Sequence, residues 1–178
     1  MQMDDHESGN FVSAYKANYV DVLRYVQRRT RPELVEEIVA ETFLIAWRRR
    51  DVLPDEPRPW LFRTAANVLK STMRREGRQV DLALRSYQPE VATSDPDASL
   101  DLALAWRQLT VKDREVIALH AWEGLSDTEA AEVLGCTRSA YAMRLTRAKR
   151  RLVKTLSRSD LTNDPHVGVY PRIAEDKV

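Results

Sequence analysis

An all-α chain, built as two small helical domains joined by a flexible linker, is the architecture this sequence predicts. Three observations predict it. Apolar residues recur at three- and four-residue steps in two separate blocks. Glycine is scarce, 5 in 178 residues, while Ala, Leu, Glu, Arg and Val are plentiful, which favours helix over turn-rich sheet. Between the blocks, residues 78–99 lose the periodicity and fill with Ser, Pro, Thr and acids. The expected division is therefore 10–77, a linker 78–99, a second unit 100–158, and a tail 159–178. Each unit, roughly 60–65 residues, is small enough to be marginal alone.

In the first block, Phe11, Tyr15, Val22 and Val26 fall on one helical stripe. A second helix is expected from Pro32, a residue tolerated in a first turn. Leu34, Ile38, Val39, Phe43, Ala46 and Trp47 form its apolar stripe. The stretch DVLPDEPRP, Asp51 to Pro59, carries three prolines and predicts a loop. Trp60, Leu61, Thr64, Ala65, Val68 and Leu69 then mark a third amphipathic helix, ending near Glu76-Gly77.

The second block announces its helix ends. Thr110-Val-Lys-Asp113 places a capping hydroxyl three residues before an acid, and Gly124 suits the left-handed residue that closes a helix. Ser126-Asp-Thr-Glu129 is a capping box, followed by a short helix ending at Gly135. Thr137 then caps a last helix running to about Ser157. Two helices joined by a tight glycine-containing turn are a helix-turn-helix. Ala131, Gly135, Tyr141 and Leu145 fit its spacing, with Tyr141, Leu145, Ala148 and Leu152 as the inward stripe of the last helix.

Charge gives this motif a purpose. The chain as a whole is balanced, with 28 basic and 27 acidic residues, yet Arg138 to Arg158 holds eight Arg or Lys and not one Asp or Glu. Arg138, Arg144, Arg147, Lys149, Arg150, Arg151 and Lys154 largely avoid the apolar stripe. A solvated basic face is the plainer reading of such a run. Behind a capped turn, however, it suits a helix whose first turns meet base edges in the major groove and whose later cations meet phosphates. Composition bounds the rest. No apolar run approaches the ~20 residues of a membrane span, and the polar start MQMDDHESGN is unlike a secretory signal. A single cysteine, Cys136, makes neither a disulfide nor a Cys-rich metal site. The expected compartment is the cytoplasm, and no cofactor is expected.

The residues EGLSDTEAAEVLGCTRSAYAMRLTRAKRRL resemble the C-terminal domain of bacterial sigma factors of the sigma-70 family, in the extracytoplasmic-function group. In the first block, VEEIVAETFLIAWRRR resembles that family's polymerase-binding helix and PWLFRTAANVLKSTMRRE its promoter-melting helix. The matched segments lie in the family's order and span about residues 10–158. The resemblance implies a factor that binds core RNA polymerase and directs promoter-specific initiation, with promoter DNA as its second partner, both duplex upstream and unpaired non-template strand. An anti-sigma protein is a possible third partner, and a membrane is not expected to be one.

Carried over residue by residue, the family implies polymerase binding by Glu37, Glu41, Thr42 and Phe43. Ala40 departs from the usual Gln. The residues themselves agree, since Glu33, Glu37 and Glu41 make an acidic ridge at four-residue steps. Asn67 matches the asparagine that helps read the promoter near the start site. Arg63, Lys70, Arg74 and Arg75 lie on or beyond the same helix and suit phosphates. Trp60 and Phe62 offer aromatic surface for unpaired bases, with core packing the competing role for Trp60. The loop Asp51 to Pro59 occupies the place of the family loop that captures a flipped base. On the recognition helix, the base-contacting positions are Ala142, Met143, Thr146 and Arg147, flanked by Arg138, Ser139, Arg144, Arg150 and Arg151 as further DNA contacts. Only Arg147 keeps a typical polar reader. Ser139-Ala140-Tyr141 replaces the usual Gly-Thr-Val, Ala142-Met143 a basic–polar pair, and Thr110 a common proline. An unusual upstream element is the consequence expected.

Two other classes compete. A helical di-metal enzyme would carry Glu-x-x-His pairs, but Met3, Ile117 and Asn163 stand three residues before the three histidines. No phosphate-binding glycine loop is present either. A repressor or response regulator with the same helix-turn-helix would need a dimerisation element or an alternating strand–helix receiver, which the first block does not show.

Overall fold

The computed structural model describes residues 2–75 and 96–162, with side chains for residues 9–75 and 100–157. Most of the expected tail and most of the expected linker lie outside these residues. Among the described residues there are seven α-helices, one 3-10 turn and no strand. They are α1 (Gln2–Gln27), α2 (Pro32–Arg48), the 3-10 turn (Arg50–Val52), α3 (Pro57–Arg75), α4 (Pro96–Gln108), α5 (Val111–Ala121), α6 (Asp127–Leu134) and α7 (Arg138–Thr162).

Several boundaries differ from expectation. Helix α1 begins at Gln2 instead of Phe11, and α4 begins at Pro96, inside the segment expected to be linker. The proline-rich loop is shorter than expected because Pro57 and Pro59 belong to the first turn of α3. A first turn has no intrahelical acceptor waiting for its N–H groups, so proline costs little there. Pro32 does the same for α2, whose N-cap Arg31 is extended and contributes no side-chain cap.

The first unit is a three-helix assembly in which α1, α2 and α3 pack pairwise. Val22, Tyr25, Val26, Ile38, Val39, Phe43, Leu61, Phe62, Ala65 and Leu69 fill it. In the second unit α7 is the central element, packed against α4, α5 and α6. Tyr141 illustrates how: it is fully buried, and its hydroxyl donates to the Val116 carbonyl at 3.0 Å. Burial pushes that hydroxyl up to about 12, with Asp127, Glu115 and Cys136 adding to the shift, so it remains a donor at neutral pH.

The helix ends form as the sequence predicts. Thr110 caps α5 by accepting from the Asp113 N–H. Ser126 and Glu129 make a reciprocal capping box on α6. Gly124 and Gly135 adopt φ of 62° and 64°, a left-handed conformation that costs a residue with a Cβ more than glycine. Thr137 accepts from the Ala140 N–H at the start of α7. The two units touch: α3 packs along α6, and the buried residues of both make one continuous cluster.

Candidate polymerase and nucleic-acid interfaces

Helix α2 turns one face inward and one outward. Glu33, Glu37 and Glu41 follow each other along the outer face, with Glu41 half-buried and the other two exposed. The expected contributions of Thr42 and Phe43 need correction. Thr42 is fully buried, its hydroxyl donating to the Ile38 carbonyl at 2.7 Å. Phe43 is also buried, 4.7 Å from the Tyr15 ring and 5.9 Å from that of Tyr19. Both shape the helix from within and present nothing to a partner. The surface beside Glu41 is instead made by Leu44 and Trp47, which are 45% and 39% exposed. Trp47 was expected in the core. Its ring packs edge-on to Phe11 at 5.1 Å while the Arg50 guanidinium covers it at 4.6 Å.

Helix α3 displays Arg63, Asn67, Lys70, Arg74 and Arg75, all exposed. Steps of four, three and four residues put Arg63, Asn67, Lys70 and Arg74 on one side, opposite the buried Leu61, Ala65, Val68 and Leu69. Arg75 reaches Glu37 at 3.4 Å, an exposed pair that ties the end of α3 to the outer face of α2. The two aromatics also sort themselves. Phe62 is fully buried against Tyr25, ring centroids 5.0 Å apart, and is no platform for bases. Trp60 is half-buried on the edge of the core, so the core role weighed for it holds in part.

On α7, Arg138, Ser139, Met143, Arg144, Thr146, Arg147, Arg150 and Arg151 are exposed, and Ala142 is half-buried. Tyr141, Leu145 and Ala148 are buried and Leu152 partly so, as the stripe predicts. The Thr146 hydroxyl donates to the Ala142 carbonyl at 2.9 Å, leaving its methyl and an oxygen lone pair outward. Arg151 differs from its neighbours. Its Nη1 donates to both oxygens of Asp113, at 2.9 and 2.7 Å, while Asp113 Oδ2 also receives the Thr110 hydroxyl at 2.8 Å. Arg151 therefore clamps α7 to the start of α5, a role the sequence-based expectation of DNA contact missed.

A cavity of about 730 Å³ lies where the units meet. Ala66, Leu69 and Lys70 of α3 form one wall, and Arg144, Arg147 and Arg151 of α7 another. Among the described residues no group of His, Cys, Asp and Glu could hold a metal ion. Among the described residues no helix is long and apolar enough to cross a membrane.

A capped helix-turn-helix whose last helix turns exposed cations outward is the arrangement of a DNA-binding protein. Comparison with known proteins makes the class specific. Residues 14–79 match Sigma-70 region 2 and residues 99–152 match Sigma-70, region 4. The chain is 34% identical over 149 residues to the ECF RNA polymerase sigma factor SigL of Mycobacterium tuberculosis, spanning 78% of this chain and 84% of SigL. It is 32% identical over 140 residues to the RNA polymerase sigma factor NccH of Alcaligenes xylosoxydans xylosoxydans, spanning 71% of this chain and 75% of NccH. The solved structure of CnrH in complex with the cytosolic domain of CnrY is similar too, with a TM-score of 0.58 and 29% identity over 83% of this chain and 88% of that one. This chain belongs to the sigma-70 family of RNA polymerase sigma factors, in the extracytoplasmic-function group. It binds core RNA polymerase and directs promoter-specific initiation of transcription.

Proposed function

We propose a division of labour in which α2 docks the polymerase, α3 works on the opened strand and α7 reads duplex DNA upstream. The outer face of α2 carries the docking role. Glu33, Glu37 and Glu41 supply charge for a basic partner, and the adjoining Leu44 and Trp47 supply apolar area, the mixture typical of a protein interface with an aromatic anchor. Asn67 engages the promoter near the start site, while Arg63, Lys70 and Arg74 hold phosphates. On α7, Arg147 is the base reader, Met143 and Ala142 offer apolar contact to a thymine methyl, and Arg138, Ser139, Arg144, Thr146 and Arg150 complete the contact surface.

The observation that carries this reading is the strict separation on α7. Every residue of its apolar stripe turns inward, and the exposed cations are left on a helix held by a capped turn. No catalytic step is assigned to the chain, and its place is the cytoplasm, where polymerase and promoter are. A helix-turn-helix regulator acting without polymerase is the rival, and it gives α2's acidic and aromatic face no task. CnrH has been solved in complex with the cytosolic domain of CnrY, and an anti-sigma protein is proposed as a further partner of this chain. Transcription in vitro with core polymerase and a genomic promoter library is the test. Specific initiation dependent on this chain supports the reading, whereas DNA binding as a dimer without effect on initiation refutes it.

A further inference from the structure

The cavity of about 730 Å³ between α3 and α7 falls within the ~300–1,000 Å³ that small-molecule pockets occupy. Its walls come from both units. Arg29 ties them together by donating to Glu123 at 2.9 Å and to both oxygens of Glu115 at 3.2 and 3.1 Å. Two carboxylates line the cavity, Asp113 and Glu115, and both are engaged, the first by Arg151 and the second by Arg29. Lys70, Lys112, Arg144 and Arg147 line it too, and among the described residues none of these four has a carboxylate partner. Arg29, its side chain 2% exposed, keeps a further donor, Nη2, from which no described residue accepts. The lining is rich in donors and short of acceptors.

Much of the remaining lining is aliphatic: Ala66 and Leu69 on α3, Val116 on α5, Val133 and Leu134 on α6. The ring in this lining, Tyr25, is 1% exposed, with the Arg29 guanidinium 3.6 Å from its centroid. It offers no face on which a base can stack. The occupant that fits is therefore anionic at one end and aliphatic at the other. A single carboxylate would leave most of the four cations unanswered. A diphosphate carries several charges, and its oxygens suit the forked donors of guanidinium groups.

We propose that this cavity binds an aliphatic diphosphate, with its head among Lys70, Lys112, Arg144 and Arg147 and its chain against Leu69, Val116, Val133 and Leu134. Four like charges gathered round one space repel each other, and a polyanion relieves that repulsion. Lys70, Arg144 and Arg147 are also proposed DNA contacts, so the diphosphate and the promoter compete for them. That competition rests on the promoter reading; the site itself does not.

The probe is farnesyl diphosphate, titrated calorimetrically into the full chain below its micelle-forming concentration, with pyrophosphate as the head alone and ATP as a nucleotide. Saturable binding of one molecule per chain is expected, at least tenfold tighter than either comparison compound. Lys112→Ala and Arg144→Ala, both at exposed positions, should each weaken it about tenfold, the loss of one contact to a charged group. Arg150→Ala, at an exposed cation of α7 outside the cavity, should leave it unchanged. Circular dichroism checks that all three variants keep their helices. Absence of saturable binding overturns the proposal, and so does equal weakening by Arg150→Ala, the mark of diffuse attraction to a basic surface. Pyrophosphate binding as tightly overturns the aliphatic half, and tighter ATP binding overturns the ligand class. A labelled upstream duplex tests the promoter reading separately: farnesyl diphosphate that binds as expected but displaces no duplex leaves the site standing and removes Arg144 and Arg147 from the promoter contacts.

Discussion

Replacing Arg151 by alanine separates a structural cation from the cations around it that are proposed to contact DNA. In the structure both Asp113 oxygens accept from Arg151, and Asp113 is also the residue whose N–H meets the Thr110 cap. The side chains are 59% and 10% exposed, so the pair is neither fully screened nor fully buried. Exposed pairs contribute about 0.2–1 kcal/mol, and the shielded Asp113 end places this one near the top of that range, at ~1 kcal/mol. For a chain of this size that is a loss of about 2–4 °C in Tm. Salt dependence of upstream DNA binding should stay the same, since a residue that contacts no phosphate releases no counterion. Calorimetry of the free protein and titration of upstream duplex at several salt concentrations supply both numbers. An unchanged Tm with a salt slope reduced by about one would refute the clamp and return Arg151 to the DNA surface. The neighbours should behave in the opposite way: Arg150→Ala lowers the slope by about one at unchanged Tm, and Arg147→Ala relaxes preference at one base pair, a contact worth about 1–3 kcal/mol.

Charge reversal at Glu37 and Glu41 should weaken assembly with core polymerase while leaving the helical circular dichroism intact, and unaltered affinity would remove α2's outer face from the interface. Asn67→Ala should reduce open complexes more on duplex promoters than on templates already mispaired around the start site; equal losses would point to base reading in the unpaired strand. Ser126→Ala should cost about 1 kcal/mol by removing the cap of α6, measured by denaturant titration. The Ser126 side chain and backbone hold the Glu129 carboxyl below its ordinary value. Its contribution is therefore complete above the ordinary carboxylate range and lost as pH falls through the lowered value. An acid limb of stability that Ser126→Ala leaves unaltered would show that the capping box is not its source.

Much of this was legible because it is local. The inward stripe of α7, the caps at Thr110, Ser126 and Thr137, and the glycines at 124 and 135 depend on residues within a turn of one another. Periodicity was less able to place aromatics. Phe62 and Trp60 both fall near the apolar stripe of α3, and only packing against Tyr25 selects Phe62 for the interior. Trp47 continues the α2 stripe, yet it lies at the edge of a three-helix unit, where a large ring is covered on one side only. Thr42 and Phe43 show the same limit from the other direction, because a motif match does not say which residues of a helix face outward. The clamp of Arg151 on Asp113 and the ion pairs of Arg28 and Arg29 with Glu123 join residues far apart in the chain. No local pattern marks them.

The short helix α6 is fixed at both ends by bonds made within its own few residues, a serine and a glutamate at the start and a left-handed glycine at the finish. Its angle to α7 is thereby settled before any DNA arrives, and Tyr141 anchors that geometry from beneath. Arg151 apart, the outward positions of α7 contribute little to the frame, so they behave as interchangeable type in a rigid printing block. Swapping Met143, Thr146 and Arg147 for the side chains of another reader should change the promoter spelled out without loosening the block, which makes this helix a practical place to write new promoter preferences.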